Sequence, residues 1–365
     1  MEFYANLDDV RGRVEKYFRV EDIFFDAGVL TFILEEQDIK SGFKKLYREL
    51  KPLKLIPTAE RDHEGRIIIK VYPYARTRVF EPRIKSLPLI LFAATLGTVG
   101  LDGFLRASSP IYKLIVGRVT IWDTVIEGLL FTAALMAIIG IHELGHKISA
   151  KIDGVDSSPP YFIPGIPTVL PTFGAVIFQK EPIINRDDMF DAGFSGPITG
   201  FIVALVVAVA AYMRAVWFTP EEFMSVVSEI ERVGGVALPS PLIFLLLRPL
   251  FGNPGMIPMF TTLGFAAWLG MLITALNLFP VWQLDGGRIF RSILNARQHR
   301  IASYVSIAVL AITGYFFFAL LLLILMPRTP DIAPLDQVSP LSRGRKLTFT
   351  AVFLMMVVSF VPLWV

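Results

Sequence analysis

Two histidines and a glutamate, His142, Glu143 and His146, close an apolar run in the stretch IGIHELGHKISA. Ionisable side chains are costly in hydrocarbon and are kept there for a task or in paired form. His142 and His146 stand four apart, which on a helix stacks their imidazoles on one face within reach of a single metal ion. Glu143 points about 100 degrees away from His142. That is too far round for a third ligand, but it lets the carboxylate reach a water beside the metal. The chain has no cysteine, so a metal must be held by His, Asp, Glu or backbone oxygen. A catalytic zinc site usually takes three protein ligands. Asp285, in ITALNLFPVWQLDGGRIF, follows a later apolar run and a break at Pro280. Gly286 and Gly287 are expected to let the backbone turn and aim its carboxylate back into the bundle. Taken alone, LDGG reads as an ordinary turn at a helix end. The incomplete histidine pair upstream favours the ligand reading.

These residues need apolar helices to carry them. Of the 365 residues, 54% are hydrophobic and 18% charged, a balance expected of several membrane spans rather than a soluble domain. Apolar stretches long enough to cross hydrocarbon, about 20 residues, fall near 86–105, 124–148, 196–217, 261–280, 301–326 and 347–365. The expected fold is an α-helical polytopic membrane protein of about six spans. Six spans put both termini on one side. Arg76, Arg78, Arg83 and Lys85 before the first span, with Arg288, Arg291, Arg297 and Arg300 after the fourth, make that side cytosolic. Arg328, Arg343, Arg345 and Lys346 weaken that assignment without reversing it. The histidine pair and Asp285 both fall at cytosolic ends of spans, so they can meet. The net charge of +3 gives no argument for nucleic acid.

Residues 1–82 carry mixed charge and read as helix-strand-strand-helix-strand-strand, a small α+β domain on the cytosolic side. His63 reads as an exposed loop residue. The opening residues lack an apolar signal-peptide core and an Arg-rich transit composition. Residues 83–365 form the expected membrane domain, with core spans 124–148, 196–217 and 261–280. The proline-rich segment 152–195 is apolar without being a regular helix, and TFGAVIFQ within it reads as a strand with an open edge. The stretch 219–260 reads as interfacial.

The His-Glu-x-x-His pattern is that of zinc peptidases, in which the metal acidifies water and the glutamate takes its proton. HELGH in one span, NLFPVWQLDGG at the end of a later one and FSGPITGF between them resemble the site-2 proteases, the intramembrane zinc metalloproteases. TFGAVIFQKEPIINRDDMFDAGFSGP is most similar to the branch of the ethylene-dependent gravitropism-deficient plastid proteins and their prokaryotic relatives. The resemblance implies one zinc per chain held by His142, His146 and Asp285, with Glu143 as general base and later proton donor. It implies that Asn277 hydrogen-bonds substrate or oxyanion, although a helix–helix hydrogen bond explains it equally well. It sets Gly174 on a strand where an unwound substrate pairs with an edge. Gly145, Gly196 and Gly200 are expected to serve close helix packing. No PDZ domain or CBS pair is evident, and the α+β domain stands in their place.

The expected function is hydrolysis of peptide bonds within or near the transmembrane helices of membrane-protein substrates, as in regulated intramembrane proteolysis, in a prokaryotic plasma membrane. A metal transporter and an inactive family member serving as membrane scaffold or chaperone are the alternatives.

Overall fold

A computed structural model describes residues 7–74, 84–282, 284–326 and 332–361. Of the residues used for the membrane orientation, Arg76, Arg78, Arg83 and Arg328 lie outside them, as do the last four residues of the expected sixth span.

The amino-terminal region follows the expected order: α1 (Leu7–Glu15), β1 (Val20–Asp26), β2 (Val29–Leu34), α2 (Lys40–Leu50), β3 (Leu55–Arg61) and β4 (Ile67–Pro73). The strands form one antiparallel sheet in the order β1-β2-β4-β3. Alternation along β2 and β4 turns Leu30, Phe32, Ile67 and Ile69 inward against Val14 of α1 and Phe43 and Leu46 of α2, all buried. This core also takes in Ile184, Leu335 and Val338 from the rest of the chain. Ala59 of β3 exchanges backbone hydrogen bonds with Leu335 and Gln337, so a distant segment covers the edge of the sheet.

The helices α3 (Leu87–Ser108), α5 (Ile121–Asp153) and α6 (Arg186–Met213) are long and apolar enough to cross a membrane. The short α4 (Pro110–Val116) joins the first two. α5 starts from a capping box in which Thr120 and Asp123 satisfy each other's backbone N–H, and it ends where Gly154 turns left-handed at φ 73°. Between α5 and α6 lies an antiparallel hairpin of β5 (Tyr161–Ile166) and β6 (Leu170–Val176).

After α6 come β7 (Val216–Phe218), α7 (Pro220–Arg232), α8 (Leu242–Phe251) and β8 (Ile257–Met259) across the stretch read as interfacial. Then follow α9 (Thr262–Leu278), α10 (Asp285–Ile293), α11 (Ala296–Ile312), α12 (Phe316–Leu325) and α13 (Arg343–Ser359). α9 has 17 residues, about 26 Å of helix, less than the hydrocarbon thickness. The stretch expected as a fifth span is two helices, broken where Gly314 takes φ 93°. The protein is therefore a mostly helical membrane protein with a small amino-terminal sheet, and among its described residues three helices reach spanning length.

Large apolar side chains of α5 pack on mostly small residues of α6 and α9. Phe131, Leu135 and Ile138 of α5 meet Ala204 and Ala208 of α6 and Ala266, Ala267 and Met271 of α9. At the far end of this bundle, buried Glu127 receives Arg214 at 2.5 Å and Thr262 at 2.8 Å, tying the three helices together.

Candidate metal centre

His142 and His146 occupy one face of α5, as their spacing requires, seven to eleven residues before its end. Asp285 is the first residue of α10, after the chain has left α9 at Phe279 and turned through Pro280. The turn is compact. A Cβ on Gly286 would meet the Leu278 carbonyl, and one on Gly287 the Trp282 carbonyl. Trp282 carries the left-handed φ, at 36°. The two glycines are thus required for room rather than for backbone freedom, which corrects the sequence expectation.

The three side chains converge. His142 Nε2 and His146 Nε2 are 3.2 Å apart, and each lies 3.3 Å from Asp285 Oδ2. A regular tetrahedron with edges of that length has its centre about 2.0 Å from each corner, the Zn–N and Zn–O distance of protein zinc sites. Two imidazole nitrogens and one carboxylate oxygen also match the donor chemistry of a catalytic zinc centre with one position open. The triangle fits the metal that the sequence implies.

Neighbouring groups fix the donors. His146 Nδ1 is 2.9 Å from the Ala192 carbonyl of α6, so the ring donates its Nδ1–H there and leaves the Nε2 lone pair for a metal. α6 faces the three donors with glycines at 193, 196 and 200. A Cβ on Gly193 would lie 2.6 Å from the Asp285 carbonyl. One on Gly196 would strike His146 Nε2 itself, and one on Gly200 would lie 3.0 Å from His142 Nδ1. Gly145 of α5 similarly admits the Ser195 carbonyl.

The donors open into a cavity of about 370 Å³ that also takes in Glu143, Asn277 and Arg288. Phe173, Ala175 and Val176 of β6 form one wall. Gly174 lies between Phe173 and Ala175 with φ 86° and open space where a Cβ would stand. Asp153 and Asp188 line the same cavity. Lys44 of α2 bridges them, at 3.0 and 2.9 Å, so the amino-terminal sheet region reaches the cavity rim. Lys40 to Asp187 at 2.9 Å and Lys51 to Glu181 at 2.6 Å extend this row of ion pairs. Burial works against the Lys44 charge, and the two carboxylates outweigh it, so the ammonium titrates above its ordinary range.

Sequence reasoning counted Arg288 only among basic loop residues. It stands one turn after Asp285 on α10, and its Nε is buried without a partner. The i, i+3 spacing from Asp285 was the available signal. Nothing local signalled Lys44, Asp153 or Asp188, because their meeting depends on how α2 docks.

Apolar helices thus surround two helix-borne histidines and an aspartate from a distant segment, a donor set of the kind catalytic zinc centres use. Residues 130–322, more than half of the chain, match Peptidase family M50, and the chain belongs to that family. It is 25% identical over 346 residues to "Probable zinc metalloprotease EGY2, chloroplastic" of Arabidopsis thaliana, across 91% of this chain and 60% of that protein. It is 26% identical over 238 residues to "Probable zinc metalloprotease EGY1, chloroplastic" of the same plant, across 63% of this chain and 42% of that protein. "Probable zinc metallopeptidase EGY3, chloroplastic" is 24% identical over 254 residues, across 66% and 42%. The chain thus spans 60% or less of the length of these relatives. No solved structure matches it. The resemblance to the site-2 proteases and to their gravitropism-deficient branch is borne out.

Proposed function

We propose that the chain is an intramembrane zinc metalloprotease that hydrolyses peptide bonds within or near the transmembrane helices of its substrates. The observation that carries this reading is the 3.2–3.3 Å triangle of His142, His146 and Asp285 donors, opening into a cavity that Glu143 shares. His142, His146 and Asp285 would hold a zinc ion, which when bound would supply Lewis acidity to water and to a peptide carbonyl. Glu143 takes the proton from the attacking water and returns it to the departing amine. Asn277, in the same cavity, donates a hydrogen bond to the carbonyl oxygen as charge develops on it. A helical peptide bond is shielded by its own hydrogen bonds, so the substrate must unwind. The β6 edge around Gly174 offers backbone groups to receive it as an added strand.

In this reading the chain crosses the membrane six times. The amino-terminal region, residues 1–82, forms a cytosolic domain over the zinc-side ends of the core helices, in a prokaryotic plasma membrane. The supports are the apolar helices α9 and α12, the apolar runs within 301–312 and 347–361, and the basic residues Arg288, Arg291, Arg297 and Arg300 after Asp285. The donors gather at one point rather than along a path, which favours chemistry over transport.

The test is Glu143→Gln in the full chain, reconstituted with a single-span peptide substrate. Zinc content should stay at the wild-type level while cleavage disappears. Retained cleavage would remove Glu143 from the mechanism.

A further inference from the structure

Asp102 lies about two thirds of the way along α3 and is fully buried. A carboxylate about 22 Å along a membrane-length helix is retained only with strong partners. One is Arg106, whose Nε donates to Asp102 Oδ2 at 2.7 Å. The other is the backbone N–H of Thr168, which donates to Asp102 Oδ1 at 2.5 Å. Arg106 then donates to the carbonyl of the same Thr168 at 3.3 Å, while its guanidinium lies 3.9 Å from the centre of the Phe265 ring.

Thr168 is the tip of the β5–β6 hairpin and sits in the left-handed region at φ 69°. The ion pair therefore grips both backbone polar groups of one strained tip residue. One turn earlier on the same face of α3, Thr98 donates to the Pro171 carbonyl at 2.9 Å. Non-helical backbone at membrane depth is tolerated only when its polar groups are satisfied by protein or water. α3 supplies that satisfaction here.

We propose that Thr98, Asp102 and Arg106 form a clamp that fixes the β5–β6 hairpin on α3 and so sets where the β6 edge runs along the cavity. They are positioning residues for a peptide received as an added strand. None of them lines the cavity or touches the metal donors. Phe173, Ala175 and Val176 follow within a few residues of the clamped tip and form the cavity wall. Movement at Thr168 therefore moves the edge on which a substrate strand would register. The placement of the hairpin stands on geometry alone, whereas its consequence for substrate rests on the proteolytic reading above.

The experiment uses the full chain in liposomes, with hydrogen exchange and a fluorescence-quenched single-span peptide as readouts. In Asp102→Ala, amides of 163–172 should exchange about 10- to 100-fold faster, the scale of losing a charge-assisted hydrogen bond. Those of α5 and α9 should hold their wild-type rates. KM should rise about tenfold while kcat stays within about twofold and zinc is retained. The neutral pair Asp102→Asn with Arg106→Gln can still accept from the Thr168 N–H and donate to its carbonyl, and should restore both exchange and KM. Thr98→Val buries no charge and should loosen residues 170–172 even if Asp102→Ala does not fold. Wild-type exchange across the hairpin in Thr98→Val and in every folded Asp102 variant would overturn the clamp. A hairpin that loosens with no change in KM would overturn its positioning role. If the wild-type chain cleaves nothing, the proteolytic reading fails, while the exchange readout still decides the clamp.

Discussion

Adding one methyl group at Gly196 should remove the metal without replacing a ligand. A Cβ there would lie inside contact distance of His146 Nε2 and 2.6 Å from Cε1 of the same ring. Ordinary contact between such atoms needs about 3.5 Å, so the imidazole must shift by about 1 Å or rotate away. Zinc–ligand distances tolerate about 0.2 Å. His146 therefore leaves the donor triangle, and zinc affinity should fall at least about 100-fold, equivalent to about 2.7 kcal/mol. Gly200→Ala is the graded control. Its Cβ would stand 3.0 Å from His142 Nδ1, a crowding of about 0.5 Å on the side of the ring away from the donor atom. There the fall should be about tenfold or less. The assay is zinc stoichiometry of purified protein in detergent, with affinity read by competition against a chromogenic chelator. Wild-type affinity in Gly196→Ala, or a larger loss in Gly200→Ala than in Gly196→Ala, would refute the packing argument.

Asn277→Ala should leave zinc content unchanged and lower kcat about 100-fold, the scale for removing one oxyanion donor; an unchanged kcat would make Asn277 a packing residue. Dialysis against a strong chelator should abolish cleavage, and added zinc should restore it, which separates metal loss from unfolding. Lys44→Met should loosen the contact between α2 and the cavity rim, seen as faster hydrogen exchange along α2 and around Asp153 and Asp188, while the remaining ion pairs and shared core keep the sheet docked. The folded pKa of Lys44 lies above its ordinary 10.5. The stabilisation it adds is therefore complete below pH 10.5 and is lost as pH rises through the higher folded value, so docking measured by cross-linking should persist through neutral pH and weaken only in strong alkali.

What was legible in the sequence was what is local. His142 and His146 share a helix, and a spacing of four fixes their face whatever the rest of the chain does. The element order of the amino-terminal sheet was legible because strand alternation and turn residues lie within each segment. Asp285 was legible only because an incomplete ligand set was searched for a third member, and because NLFPVWQLDGG carries a family resemblance. Other features depend on pairings distant in sequence. Asp102 reads as one carboxylate in an apolar run until Thr168, 66 residues on, is brought against it. Lys44 reads as a solvated helix residue until α2 meets Asp188, 144 residues away. Hydropathy runs straight through Gly314, so the break between α11 and α12 was invisible to a count of apolar residues. Gly196 and Gly200 of α6 were recognised as packing residues, but only the fold shows that they stand against the two histidine rings and that Gly193 stands against the Asp285 backbone.

In the proposed mechanism His142, His146 and Asp285 hold one zinc ion between them. Zinc-edge X-ray absorption on the purified full chain tests it most directly. The expected result is one zinc per chain, with two imidazoles and oxygen donors at about 2.0 Å, and loss of that signal in Asp285→Ala. A full zinc complement in Asp285→Ala, or a wild-type spectrum lacking imidazole scattering, would contradict it.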